Sequence, residues 1–225
     1  MNKLYLLGAL AGALLLSSTV HANTLDIKVS QTGYSSLNAT GSGTVSISDQ
    51  SIGDFTVESV IGTGTPVFSE PYLDLEDLDV TKNFDNTTAT LTIELTETGL
   101  KLSSSPLGVI SSFTGNLNGV TSETISTYYD PSDTAYGMAN LLGTATFTDS
   151  GSNSLNQFGT ITDSGYFSET EVIVATFGVP SGGPDSLNSS ALITAAPVPE
   201  PVSMGIAGAG LFAFGLVGVR RRKKA

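Results

Sequence analysis

The sequence has no cysteine and no tryptophan, and its one histidine is His21. Without cysteine the chain has neither a disulfide nor a thiol nucleophile. Because His21 lies in an N-terminal export signal described below, the rest of the chain has no residue for Ser-His-Asp or Cys-His catalysis. It also lacks the ligands that zinc, copper and iron prefer. The commonest hydrolase and transition-metal sites are therefore excluded.

Charged side chains are scarce and mostly of one sign. They make up 13% of the 225 residues, against about a quarter in an average protein. Residues 23–196 contain twenty acidic residues, three lysines and no arginine, which gives a net charge of −17. Such a surface repels phosphate, and the chain has no phosphate-binding loop. We therefore expect no nucleic-acid partner, no cofactor other than a possible Ca²⁺, and no enzymatic activity.

What the chain does have is serine and threonine, which number 57 together, and 25 glycines. This composition is typical of strands and turns. Apolar and polar residues alternate along residues 89–96, whereas Val172–Phe177 is almost continuously apolar and predicts a central strand covered on both sides. The spacing predicts an all-β sandwich. The other predicted strands are residues 24–30, 44–48, 55–61, 109–113, 124–129, 144–148 and 191–194.

The N-terminus has the pattern of a secretory signal peptide. A positively charged residue precedes the apolar run Leu4–Leu16, which is short for a membrane span. Val20 and Ala22 then occupy the −3 and −1 positions of a cleavage site. We expect residues 1–22 to be removed between Ala22 and Asn23. The alternative is an uncleaved anchor helix.

The C-terminus has three parts in a fixed order. Pro199, Glu200 and Pro201 come first, followed by Val202–Val219, which contains no charged residue. Eighteen helical residues reach about 27 Å, enough to cross a hydrocarbon core. The positive-inside rule places the basic cluster that follows on the cytoplasmic side. That cluster consists of Arg220, Arg221, Arg222, Lys223 and Lys224.

This tail resembles the PEP-CTERM sorting signal of Gram-negative bacteria, and the resemblance covers residues 197–225. It implies that an exosortase recognises Pro199-Glu200-Pro201 after the export machinery has delivered the chain. It also implies an inner-membrane intermediate with one transmembrane helix, followed by release or re-anchoring at the cell surface or in the extracellular matrix. Residues 23–196 are then the exported domain.

An acidic cluster interrupts the alternation in the middle of the chain. It contains Glu70, Asp74, Glu76, Asp77 and Asp79, whose carboxylates are the oxygen ligands that Ca²⁺ prefers. The apolar positions also change phase at Glu76-Asp77, which predicts a β-bulge or one helical turn. The cluster is either a calcium site or an acidic strand edge in contact with water.

Three further patterns have ordinary alternatives. Two Asp-Ser-Gly sequences, at 149–151 and 163–165, resemble the aspartic protease motif but are also turn sequences. Lys101 close to Ser103–Ser105 is either a Ser-Lys pair or an exposed loop. Threonines at 90, 92 and 96 fit one face of one strand, as on an ice-binding surface, but the other predicted strands do not repeat them.

The leading hypothesis is an exported structural or interaction protein of the cell surface or biofilm matrix, with exopolysaccharide as its candidate partner. The alternative is a β-sandwich module that binds calcium or a glycan. A hydrolase with two carboxylates across a cleft is the third hypothesis.

Overall fold

The computed structural model describes residues 23–68, 71–83, 87–179 and 184–197. These ranges contain twelve β-strands and no helix. The strands are β1 (Thr24–Gln31), β2 (Leu37–Gly41), β3 (Thr44–Ile52), β4 (Phe55–Thr63), β5 (Tyr72–Lys82), β6 (Ala89–Leu100), β7 (Leu107–Asn118), β8 (Val120–Asp130), β9 (Asn140–Phe147), β10 (Gly151–Ile161), β11 (Phe167–Phe177) and β12 (Asp185–Ala195).

The strands form two six-stranded sheets in which the ten neighbouring pairs are all antiparallel. The first sheet has the order β2-β1-β6-β11-β8-β9, and the second has the order β10-β7-β12-β5-β4-β3. The sheets pack face to face, as the ring contact between Phe55 of β4 and Phe177 of β11 shows, with centroids 5.0 Å apart. The predicted all-β sandwich is confirmed for these residues.

The core lies between the sheets and follows the period-2 alternation of the sequence. Ile27, Leu73, Ile93 and Phe113 are fully buried, and each is flanked by residues that face outward. Removing this apolar surface from water is the main stabilising contribution to such a fold. Because the inner face of most strands is buried, shifting the pairing of such a strand by one residue would move its core side chains to the solvent-facing side.

Strand β11 is central in its sheet, as its apolar sequence predicts. The side chains of Thr170 and Val172 face away from the second sheet, yet both are buried. The loop between β8 and β9, residues 131–139, binds to this end of the sheet. The Ser168 hydroxyl donates a hydrogen bond to the Thr134 carbonyl at 2.8 Å, and the Gly99 amide donates one to the Asp133 carboxylate at 2.7 Å.

The predicted irregularity at Glu76-Asp77 is a β-bulge. Leu75 pairs with Ala191 and Leu78 pairs with Ser189, so two residues of β5 lie opposite one residue of β12. The bulge restores the inward orientation of Leu78 after the change of phase.

Two strands, β2 and β10, were not predicted. Both are rich in serine, asparagine, glycine or threonine and lack a regular apolar alternation. The predicted signal peptide and the C-terminal sorting segment lie outside the described residues. In the ranges given above, no helix has the length and hydrophobicity required to cross a membrane.

Candidate functional site

The outer face of the second sheet carries a row of large apolar side chains, interrupted by one threonine, that crosses four strands. Phe158 of β10 pairs with Ile110 of β7, Ile110 pairs with Thr194 of β12, and Thr194 pairs with Tyr72 of β5. Directly paired residues point to the same face of an antiparallel sheet. Phe158 is 76% exposed. We call these four residues the aromatic row.

The aromatic row is extended at its β5 end by Phe68. The Phe68 and Tyr72 rings have centroids 3.9 Å apart at an angle of 32°, and Phe68 is 43% exposed. Phe158 on β10 and Tyr72 on β5 are three strand spacings apart, which is about 14 Å. The row therefore presents an elongated apolar strip with one exposed ring at each end.

The phenol of Tyr72 has a defined orientation because it donates a hydrogen bond to the Asp74 carboxylate at 3.0 Å. Partial burial, together with the nearby carboxylates of Asp74 and Glu76, raises the pKa of Tyr72 to about 12. The hydroxyl therefore keeps its proton at physiological pH. Its ring is held against Phe68, and the second Asp74 oxygen remains an acceptor.

Mostly polar side chains lie next to the aromatic row on the same outer face of the sheet. The next row across the sheet pairs Asn156 with Ser112, Ser112 with Leu192, and Leu192 with Asp74. The row after that contains the hydroxyls of Thr114 and Ser190, 2.7 Å apart. A surface with an apolar strip and adjacent amide, hydroxyl and carboxylate groups suits a ligand with apolar faces and a rim of hydroxyls.

The acidic residues predicted as calcium ligands follow one strand rather than surrounding a point. Asp74, Glu76 and Asp79 all lie on β5, with Glu76 exposed. Glu70 lies outside the described residues, and of Asp77 only the backbone position in β5 is described. Within the part of the chain that the structure describes, no three acidic or histidine side chains form a metal site.

Burial is the main cause that raises the pKa of Asp74, and the neighbouring Glu76 raises it further. The hydrogen bond from Tyr72 opposes both effects. Burial also raises the pKa of Asp79, with the nearby Glu58 as the second cause. Asp74 accepts the Tyr72 hydrogen bond at 3.0 Å, and both carboxylates are half-buried.

A second set of carboxylates was not predicted, because it lies between the sheets. Glu97, Glu123, Glu169 and Glu171 are fully buried. Glu97 accepts hydrogen bonds from the Thr65 amide at 3.0 Å and from the Asn23 side chain at 3.3 Å. Because their side chains are 0% exposed, they do not present the open carboxylate pair that a glycosidase requires.

Burial dominates the titration of two of these glutamates. It raises the pKa of Glu123 to about 7, opposed by the neighbouring Ser189 hydroxyl. It also raises the pKa of Glu171 well above its ordinary value, helped by Asp74 and Glu169 and opposed by the amides of Leu75 and Ile193. Neither Ser189 nor these amides approach within normal hydrogen-bond geometry. Burial is therefore the dominant cause of the raised pKa of both groups.

A groove of about 320 Å³ lies between the edge strands β2 and β3. It is lined by Leu37, Asn38, Ala39, Ser46, Ile47, Ser48 and Gln50. The lining contains no aromatic and no charged side chain, so it offers neither a stacking surface nor a carboxylate acceptor. The outer face of the second sheet is the better equipped surface.

The remaining sequence patterns have structural roles. The two Asp-Ser-Gly sequences lie at opposite ends of β10. This strand has 11 residues, and an extended strand of that length spans about 36 Å. Asp163 accepts a hydrogen bond from the Gly165 amide at 2.6 Å, as expected for a turn. Lys101 and Ser103–Ser105 are exposed, and the Lys101 ammonium lies 5.2 Å from the Tyr166 ring centroid.

Of the three threonines of β6 in the predicted pattern, two face threonines of β11, whereas Thr92 pairs with Val174, so the full pattern is not repeated on that strand. Thr90 and Thr176 hydroxyls are 3.1 Å apart, and Thr96 and Thr170 hydroxyls are 3.0 Å apart. Thr96 and Thr170 are nevertheless buried, at the end of the sheet that residues 131–139 contact. The threonines therefore do not form one continuous exposed surface.

The sorting residues predicted from the tail, Pro199-Glu200-Pro201 and Arg220–Lys224, lie outside the described residues, as does Ala22. Asn23 is described and contacts Glu97. No protein-family model matches the chain, and no curated protein matches it.

Several solved structures align with the chain at low similarity. A carbohydrate-binding module, TmCBM61, in complex with β-1,4-galactotriose has 8% identity and a TM-score of 0.35, covering 76% of this chain and 88% of the module. The K1 adhesin domain of Lys-gingipain from Porphyromonas gingivalis has 14% identity and a TM-score of 0.31, covering 68% and 99%.

The C-terminal CBM6 of LamC from Zobellia galactanivorans has 10% identity and a TM-score of 0.28, covering 67% of this chain and 99% of the module. Similarity at this level does not assign a function. The chemistry of the chain's own surface has to do so.

Proposed function

We propose that the protein is an exported, non-catalytic module that binds neutral polysaccharides on the outer face of the second sheet. The observation that carries the proposal is the aromatic row, whose exposed ring at Phe158 is aligned across the strands with Tyr72. Sugar rings have flat apolar faces that pack on aromatic rings, and an exposed apolar patch with a polar rim is a typical binding surface.

The polar groups beside the row define the chemistry of the ligand. Asp74 and Asn156 offer acceptors and an amide for sugar hydroxyls, and Tyr72 is fixed by Asp74 at 3.0 Å. A net charge of −17 over residues 23–196 repels anionic polymers. Neutral glucans, xylans and galactans are therefore expected to bind more tightly than alginate or other uronic-acid polymers.

The terminal segments support an extracellular location for this activity. A signal peptide over residues 1–22 would export the chain, and the tail that resembles PEP-CTERM signals would direct it to an exosortase. Binding of exopolysaccharide at the cell surface or in a biofilm matrix is consistent with both the terminal segments and the surface of the second sheet.

Affinity electrophoresis and calorimetry with a panel of soluble polysaccharides test the proposal. Phe158→Ala should weaken binding about tenfold, the effect of losing one aromatic anchor. The matched control is Tyr34→Ala, since Tyr34 is 54% exposed in the turn between β1 and β2. Equal affinities for wild type and Phe158→Ala, or absence of binding to any neutral polysaccharide, would contradict the proposal.

A chelator separates glycan binding from calcium binding. Because Asp74, Glu76 and Asp79 are spread along β5, we expect EDTA to leave the affinity unchanged. Loss of affinity in EDTA with recovery in Ca²⁺ would show instead that a calcium ion completes the site.

A further inference from the structure

The two sheets end in four edge strands, which are β2 and β9 in the first sheet and β3 and β10 in the second. An edge strand has backbone amides and carbonyls without strand partners, which can pair with another chain. Natural proteins protect such edges with short strands, charged residues, prolines or covering groups. The four edges differ in this respect.

Three of the edges carry a recognisable protection. Strand β2 has only five residues, and β3 contains the exposed Asp49, whose φ of 53° is left-handed. Strand β9 is capped at Thr144 by the side chain of Gln157. The Thr144 amide donates to the Gln157 Oε1 at 3.0 Å, and the Gln157 Nε2 donates to the Thr144 carbonyl at 2.6 Å.

The fourth edge strand, β10, is long and has neither charges nor prolines, and its contact with β9 is made by the Gln157 side chain on its inner face. It has eleven residues, Gly151–Ile161, and extends over about 36 Å. In the described part of the chain it pairs with β7 alone. Leu155 and Phe158, which are 42% and 76% exposed, lie on opposite faces of the strand.

The charge distribution indicates which partner suits this edge. Two copies of residues 23–196 repel each other through their net charge of −17, and this repulsion is least where the surface is uncharged. The exposed side chains of β10 are all uncharged, and four of the six carry a hydroxyl or an amide that both donates and accepts: Ser152, Ser154, Asn156 and Thr160. The strand is therefore complementary to itself, whereas a charged partner would find no counter-charge on it.

We propose that β10 pairs with β10 of a second copy of this chain, antiparallel and about a two-fold axis perpendicular to the sheet. The pair would join two six-stranded sheets into one of twelve strands. An isologous contact of this kind closes on itself, so it produces a dimer rather than a filament. This inference does not depend on glycan binding.

Single cysteines test the pairing directly, since the native chain has none. The variants are Ser152→Cys, Ser154→Cys and Asn156→Cys, with Ser48→Cys on the other edge of the sheet as the control. Residues directly opposite across a pair have Cβ atoms about 5 Å apart, close enough for a disulfide. Mild oxidation of the full chain should crosslink one β10 variant to dimer at several times the yield of Ser48→Cys. Equal yields on both edges would overturn the proposal.

Sedimentation of the full chain gives a second, non-covalent measurement. The double variant Ser154→Asp/Asn156→Asp adds like charges on both sides of the pair, which should lower the dimer fraction at least about fivefold. Ser48→Asp should leave it unchanged, and circular dichroism checks that each variant is folded. Because all variants carry the same terminal segments, association through those segments cannot explain a difference in dimer fraction between variants. A wild type that stays monomeric, or a dimer fraction unaffected by the double variant, would refute the pairing.

Discussion

The Glu123 carboxylate of β8 occupies the space above the α-carbon of Gly115 on β7, in the facing sheet. A Cβ at position 115 would lie 2.3 Å from the Glu123 Oε2 and 3.1 Å from the Phe147 ring. Glu97 has the same relationship to Gly64, where an added Cβ would lie 2.2 Å from the carboxylate. Two of the buried glutamates are thus accommodated because a glycine of the opposite layer leaves room for them.

Replacing Gly115 should destabilise the sandwich. The methyl group of Gly115→Ala would displace a buried carboxylate and press on the Phe147 ring, and overpacking of this kind costs about 1–3 kcal/mol. The same substitution at Gly108 on the same strand is the control, since its Cβ would meet only Ala196 at an ordinary 3.5 Å. Urea denaturation measures both. A Gly115→Ala protein as stable as Gly108→Ala would show that Glu123 moves aside without cost.

Stability should fall as the pH rises from about 4.5 to about 7. Glu123 has a pKa of about 7 in the folded protein against 4.5 ordinarily, so within this window the folded carboxyl keeps a proton that the unfolded one loses. Its contribution is fully present below pH 4.5 and falls by about 1.4 kcal/mol per pH unit. Because the pKa of Glu171 is also raised, a shallower decline in stability should remain when Glu123 is replaced.

The substitution Glu123→Gln isolates the contribution of this residue. It should flatten the decline between pH 4.5 and 7 and raise the melting temperature at pH 8 relative to wild type. Asp149→Asn, at an exposed position, should leave the pH profile unchanged. Thermal melts at several pH values are sufficient. If Glu123→Gln kept the wild-type slope, the pH dependence would have another origin.

Gln157→Ala should weaken the contact between β9 and β10. It removes both hydrogen bonds that satisfy the Thr144 backbone, at a cost of about 1–2 kcal/mol. For a domain of this size that corresponds to a melting temperature lower by roughly 3–8 °C. Gln50→Ala, at an exposed position on β3, serves as the control. Equal melting temperatures for the two variants would mean that water replaces Gln157 fully.

Processing of the tail should depend on Glu200. In a host with an exosortase, Glu200→Ala should leave membrane insertion intact, because Val202–Val219 is unchanged, but should slow cleavage. An unprocessed membrane-bound form would then accumulate, as immunoblotting of membrane fractions would show. Removal of Arg220–Lys224 should instead disturb topology. Normal processing of Glu200→Ala would contradict the sorting role of this residue.

The sequence alone was sufficient for features that depend on local alternation. The all-β class, the central position of β11 and the bulge at Glu76-Asp77 all follow from where apolar residues keep or change a period of two. Strand β10 was missed for the same reason. It is an edge strand with little burial, so no apolar period marks it.

Only the tertiary structure decided the placement of residues distant in sequence. Phe158 and Tyr72 belong to one row because the register of β10, β7, β12 and β5 aligns them, and that register is set by core packing across the whole sandwich. Glu169 and Glu171 show the same principle. As charged residues they would be expected to face water, but they share the phase of Ile173 and Phe177, and the burial of those apolar side chains turns both glutamates inward.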